Sequence, residues 1–191
     1  MVYYYAAYYM GQLENDEAAA ELYRAAMTQG ADYCFPLRLE AVEILRTAQQ
    51  QNPADALAHY CLGNLLYETQ ADVAVREWGA ADSLGTSIAT VYRNLARAYV
   101  ELQQDVPKAT QTMERALELD PHDARLYYEL DLLYEAAGVS PSERLAVLEQ
   151  AGETVVSHND AFGRQVVLLT QLGRYDEAIE LMKTHHFRRW E

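Results

Sequence analysis

One spacing recurs through this chain and constrains it more than any other property. An alanine, a large apolar residue four positions later and a second alanine three beyond that appear as Ala19, Tyr23 and Ala26, as Ala41, Leu45 and Ala48, as Ala74, Trp78 and Ala81, and as Ala109, Met113 and Ala116. Steps of four and three place all three on one face of a helix. The small members let a neighbouring helix approach closely, and the large one fills the gap between successive hairpins. The series decays toward the C-terminus, to Arg144, Leu148 and Ala151 and then to Ala178, Met182 and His185. Leading positions lie 22, 33, 35, 35 and 34 residues apart. All but the first of these intervals match one helical hairpin, so the chain reads as an all-α array of repeats, an α-solenoid.

Partner helices fall where such hairpins need them, with Leu62 and Gly63, Leu95 and Ala96, Leu130 and Asp131, and Gln165 and Val166 at equivalent positions. Gly63 and Ala96 stand where neighbouring helices touch. Asp131 and Val166 depart from that pattern and imply looser or differently tilted packing in the C-terminal repeats. The interval of 22 is too short for a hairpin, so the helix near residues 37–51 has no first-helix partner. Gly30 stops the helix before it, Pro36 starts it, and Pro121 opens a later helix where its missing N–H costs nothing. The expected layout is a single superhelical domain over 1–191: a first hairpin at 1–30, an unpaired helix at 37–52, and four hairpins over 54–187. That makes about eleven helices and no sheet.

This pattern resembles tetratricopeptide repeats over nearly the whole length. The segments FPLRLEAVEIL, NPADALAHYCLGNLLYE, VYRNLARAYVE, DARLYYELDLLYE and GRYDEAIELM further resemble the C-terminal repeats of large bacterial proteins that carry a domain of unknown function ahead of them. In that group a Phe-x-x-Trp-Glu segment follows the repeats; Phe187, Trp190 and Glu191 match it, while Arg188 and Arg189 depart. The resemblance implies a β-rich, carbohydrate-related region upstream. The uncapped opening VYYYAAYYM and the closing FRRWE fit a piece cut from a longer chain, with apolar ends through which it would self-associate.

The formal charge is −14, spread evenly along the chain. Phosphate backbones and anionic membranes call for a basic stripe that is absent, which argues against nucleic-acid and membrane partners. The opening segment lacks a basic n-region and a cleavage site, so it is not a signal peptide. Cys34 and Cys61 lie 27 residues apart without metal-ligand spacing. They read as two small buried hydrophobes in a reducing, cytoplasmic setting, with a disulfide not indicated. His185 and His186 diverge by about 100° on a helix and cannot share an ion. His59 takes a packed hairpin position, and His122 and His158 read as loop or cap residues. No nucleophile elbow, phosphate loop or dinucleotide turn is present. No catalytic residue, metal or cofactor is therefore expected, and the segment is read as not an enzyme.

Tyrosine supplies 15 residues against 3 Phe and 2 Trp. Tyr23, Tyr92, Tyr99, Tyr127, Tyr134 and Tyr175 fall at internal repeat positions, whereas Tyr4, Tyr8, Tyr60, Tyr67 and Tyr128 fall on the face expected to line a concave groove. The candidate ligand-binding residues are Tyr60, Asn64, Tyr67, Arg93, Asn94, Arg97, Arg125 and Tyr128. Asn64, Asn94 and Arg125 match three of the five positions by which some tetratricopeptide domains clamp a terminal carboxylate; Tyr60 and Glu129 do not match the other two, and Glu129 would repel the ligand. Three readings stay open: a scaffold that binds a protein or peptide partner in the groove, an accessory or dimerising module of a larger carbohydrate-related enzyme, and a purely structural spacer, which would need a polar and featureless groove.

Overall fold

Helix starts are written into the chain as polar caps. Side chains of Asn15, Asp55, Asp105 and Asp123 accept from backbone N–H groups of Ala18, Ala58, Lys108 and Arg125 at 3.0 to 3.2 Å, satisfying donors that a helix N-terminus leaves open. Ser140 and Glu143 form a reciprocal capping box, with Pro141 in the first turn. The computed structural model describes residues 1–31, 34 and 36–185. Among these residues there are twelve helices and no strand.

The chain divides into two compact units, Met1–Ala98 and Tyr99–Glu191. The first holds α1 (Val2–Gln12), α2 (Asp16–Met27), α3 (Glu40–Gln51), α4 (Ala56–Leu66), α5 (Ala71–Ser83) and most of α6 (Ala89–Gln103). In it α1 pairs with α2 and α4 with α5, while α3 packs on α1, α2 and α4. The second holds α7 (Val106–Leu119), α8 (Ala124–Ala136), α9 (Pro141–Ala151), α10 (Glu153–Val156), α11 (Asn159–Gln171) and α12 (Tyr175–Thr184). Here α8 packs against α7, α9 and α11, and α11 against α9 and α12.

The recurring series is the core. Every member of its four intact copies is buried, with Ala41, Leu45, Ala48, Ala74, Ala81, Ala109 and Ala116 wholly inaccessible. Tyr4, Ile44, Leu62 and Leu95 complete the interior of the first unit. The second is built on Tyr127, Leu145, Leu148, Val155, Phe162, Leu168 and Leu169. In the last copy Ala178 is buried but Met182 is exposed.

Several boundaries and packings differ from the expectation. Helix α3 begins at Glu40 rather than 37, since Pro36 lies in the preceding segment and does not open it. Pro121 likewise sits in the turn before α8, which Asp123 caps; its carbonyl accepts from the Tyr127 hydroxyl at 3.2 Å. The four-residue α10 is additional, set off from α9 by Gly152 at φ 53°. Packing at Asp131 is not looser. Asp131 and Arg144, two departures from the series, are 2% and 4% exposed and satisfy one another through contacts of 2.8 and 3.0 Å. A carboxylate and a guanidinium together occupy the space that two small residues leave elsewhere.

Candidate functional site

Helix α4 carries Tyr60, Asn64 and Tyr67 on one face at steps of four and three, with Tyr67 at its C-cap. Helix α6 carries Thr90, Arg93, Asn94 and Arg97 at the same kind of spacing. These side chains, with Glu68 and Trp78, line a cavity of about 240 Å³. Six of the eight candidate residues thus meet in one place within the first unit. Glu68, Trp78 and Thr90 were missed by sequence reasoning. Trp78 was assigned to the core; it is 2% exposed and also lines the cavity.

The cavity wall is held by hydrogen bonds between its own members. Asn64 Oδ1 accepts from Trp78 Nε1 at 3.1 Å and from Asn94 Nδ2 at 2.9 Å. One amide oxygen therefore fixes side chains from α5 and α6 against α4. Trp78 also lies against Tyr67, ring centroids 5.2 Å apart and tilted by 39°. Arg97 extends over the Tyr67 ring, its Cζ 5.8 Å from the centroid and within cation–π range. Burial pushes the Tyr60 phenol up, against the opposing effect of its hydrogen bonds with Asn64 and Thr90. The wall offers aromatic surface, amides and two guanidiniums, with the Glu68 carboxylate at its edge.

Arg125 and Tyr128 belong to the second unit. Arg125 folds back on its own cap, its guanidinium on the Asp123 carboxylate at 2.7 to 3.2 Å. Tyr128 packs half-buried against the core of that unit. Other tyrosines depart from their expected roles. Tyr4 is core rather than groove surface: it is 1% exposed and its hydroxyl donates to buried Asp55 at 2.8 Å. Tyr175 is exposed rather than internal, at the open start of α12.

His59, His158 and His185 serve packing and caps. His59 Nδ1 lies 2.6 Å from Glu77 Oε2, and Gln49 Nε2 donates to the same carboxylate at 2.7 Å, joining α3, α4 and α5. Burial pushes the Glu77 carboxyl up, but the bonds from His59 and Gln49 outweigh it and hold the group below its ordinary value. His158 caps α11, and His185 stacks on Phe162 with ring centroids 3.7 Å apart. His186 and the Phe187, Trp190 and Glu191 positions lie outside the described residues. Among the described residues no cluster of His, Cys, Asp or Glu could hold a metal ion, and no helix is long and apolar enough to cross a membrane.

No family model matches the chain. Solved structures do resemble it. A crystal structure of MamA is 20% identical, covering 74% of this chain and 82% of its own, with a TM-score of 0.60. PilF of Pseudomonas aeruginosa is 18% identical over 98% of this chain and 77% of its own, with a TM-score of 0.62. YrrB, described as a TPR protein with an unusual peptide-binding site, is 19% identical over 95% of this chain and 81% of its own, at 0.57. The likeness is one of fold, and the fold is that of tetratricopeptide helical hairpins.

Proposed function

We propose that this tetratricopeptide-fold chain is a protein-interaction scaffold that holds an extended peptide segment at the cavity between α4, α5 and α6. The observation that carries the reading is the set of cavity residues fixed through Asn64 Oδ1, with Arg97 placed over Tyr67. A wall whose side chains are already bonded into position loses little further freedom when a ligand arrives, which favours recognition. The cavity, at about 240 Å³, is smaller than the roughly 300 Å³ at which small-molecule sites begin. It suits one anchoring side chain of a longer segment, with the remainder lying on the neighbouring helix faces. Guanidiniums beside aromatic rings favour an acidic or aromatic anchor. The peptide-binding site ascribed to YrrB, a protein of like fold, supports the same class of ligand.

The test is a random linear-peptide display library selected on the immobilised chain, with the affinity of the selected peptides measured again on variants. Arg97→Ala and Asn94→Ala should each weaken binding about tenfold, the usual size of a well-placed interface contact. Both variants should keep the helical circular dichroism of the parent. Unchanged affinity in the folded variants would remove this cavity from the interaction surface.

A further inference from the structure

Cys34 and Cys61 are far apart in sequence, with α3 between them, yet the fold sets their sulfur atoms 3.2 Å from each other. Both thiols are free and buried. Cys34 lies in the segment between α2 and α3, and Cys61 lies on α4. Their surroundings are unequal. Cys34 forms part of the wall of a second cavity of about 240 Å³, together with Tyr3, Ala26, Gln29, Gly30 and Leu57. Cys61 is 0% exposed and does not line that cavity. One sulfur can be reached from a space large enough for a small oxidant, and the other waits directly behind it.

We propose that Cys34 and Cys61 form a dithiol oxidation site at which a hydroperoxide converts the pair to an intramolecular disulfide. The Cys34 thiolate attacks the peroxide; the O–O bond breaks, an alcohol or water leaves, and Cys34 becomes a sulfenic acid. Cys61 sulfur then attacks the sulfenyl sulfur. The S–S bond forms as the S–O bond breaks, and the Cys61 proton leaves with the hydroxyl as water. Two thiols lose two electrons and two protons, and one hydroperoxide is reduced. The sulfurs have to close from 3.2 Å to about 2.05 Å, within reach of small side-chain rotations. Polarity favours the same order of attack. A hydrogen bond from the Cys61 thiol holds Cys34 down, at about 6, whereas that pairing and burial push Cys61 up. Thiolate character and access both select Cys34 as the first sulfur to react.

The product would tie the α2–α3 segment to α4 and enclose α3 in a covalent loop. The test treats the reduced full chain with hydrogen peroxide, blocks remaining thiols with maleimide under denaturing conditions and maps tryptic peptides. Arg38 and Arg46 separate the two cysteines into different peptides, so an internal link is read directly. The expected result is a monomer two hydrogens lighter, with the two peptides joined and both thiols restored by dithiothreitol. In Cys61→Ala the reaction should stop at Cys34 and yield a dimedone adduct there; in Cys34→Ala, Cys61 should stay reduced. Retention of both thiols in tenfold peroxide, links only between chains, or faster oxidation of Cys61 than of Cys34 would overturn the proposal.

Discussion

Asp131 accepts from two arginines on two other helices. Arg144 Nε and Nη2 reach it from α9 at 2.8 and 3.0 Å, and Arg164 Nε reaches it from α11. Glu135 closes the ring by bonding the same two guanidiniums at 3.1 and 2.7 Å. A buried ion pair adds little against apolar residues of like volume, but loss of one partner strands the other charge away from water. Asp131→Ala should therefore lower stability by about 3 kcal/mol, measured as a fall in the urea midpoint. Asp131→Leu combined with Arg144→Met should recover most of that loss. A single variant as stable as the parent would mean that Arg144 escapes to solvent. None of this was legible beforehand. Each residue could be seen breaking its own local pattern, but a pairing across two helices is a tertiary fact, and the sequence offers only two separate irregularities. The cysteine pair escaped for the same reason.

Helix spacing, by contrast, could be read. Small residues at fixed steps have one physical use, the close approach of two helices, and their burial followed wherever the series was intact. Gly63 on α4 is the sharpest instance. A Cβ built there would stand 2.4 Å from Trp78 Nε1 on α5, and Trp78 is itself buried and bonded to Asn64. Alanine is the better helix former by about 1 kcal/mol, yet here it would push the indole out of its seat at a cost of roughly 1–3 kcal/mol. Gly63→Ala should lower the melting temperature and change the near-ultraviolet circular dichroism of Trp78. Gly79 on α5 supplies the control, since nothing lies within 4 Å of a Cβ there. Gly79→Ala should leave the melting temperature unchanged or raise it. Boundaries were read less well, because Pro36 and Pro121 allow a helix start without compelling one; α8 starts at its Asp123 cap, whereas α3 opens after Leu39 with no side-chain cap. The cavity was legible as far as α4 and α6 are concerned, for the same face spacing that builds a helix also groups the residues lining the cavity. Trp78 was missed because a residue was assigned either to the core or to the cavity wall, and this one belongs to both.

The whole chain carries a formal charge of −14. On the proposed function, the guanidiniums at the cavity would hold an anionic side chain at contact distance within a field that does not draw in a long polyanion from afar. The chain should pass through heparin or DNA-cellulose unretained at about 0.15 M salt, where the Debye length is about 8 Å. Retention that falls steeply as salt rises would reveal a basic surface and overturn this reading. Helix α3 bears on how the chain could be recut. Hairpins can be inserted or excised where a helix bearing the small-large-small series is followed by one that does not, since both new joints then repeat a pairing already present. That condition fails between α2 and α3, where two helices with the same series follow one another and α3 lies on α1, α2 and α4 at once. A module grafted at that joint would offer a surface shaped for one kind of helix to the other kind, so a library of shortened or lengthened arrays has no usable seam between α2 and α3.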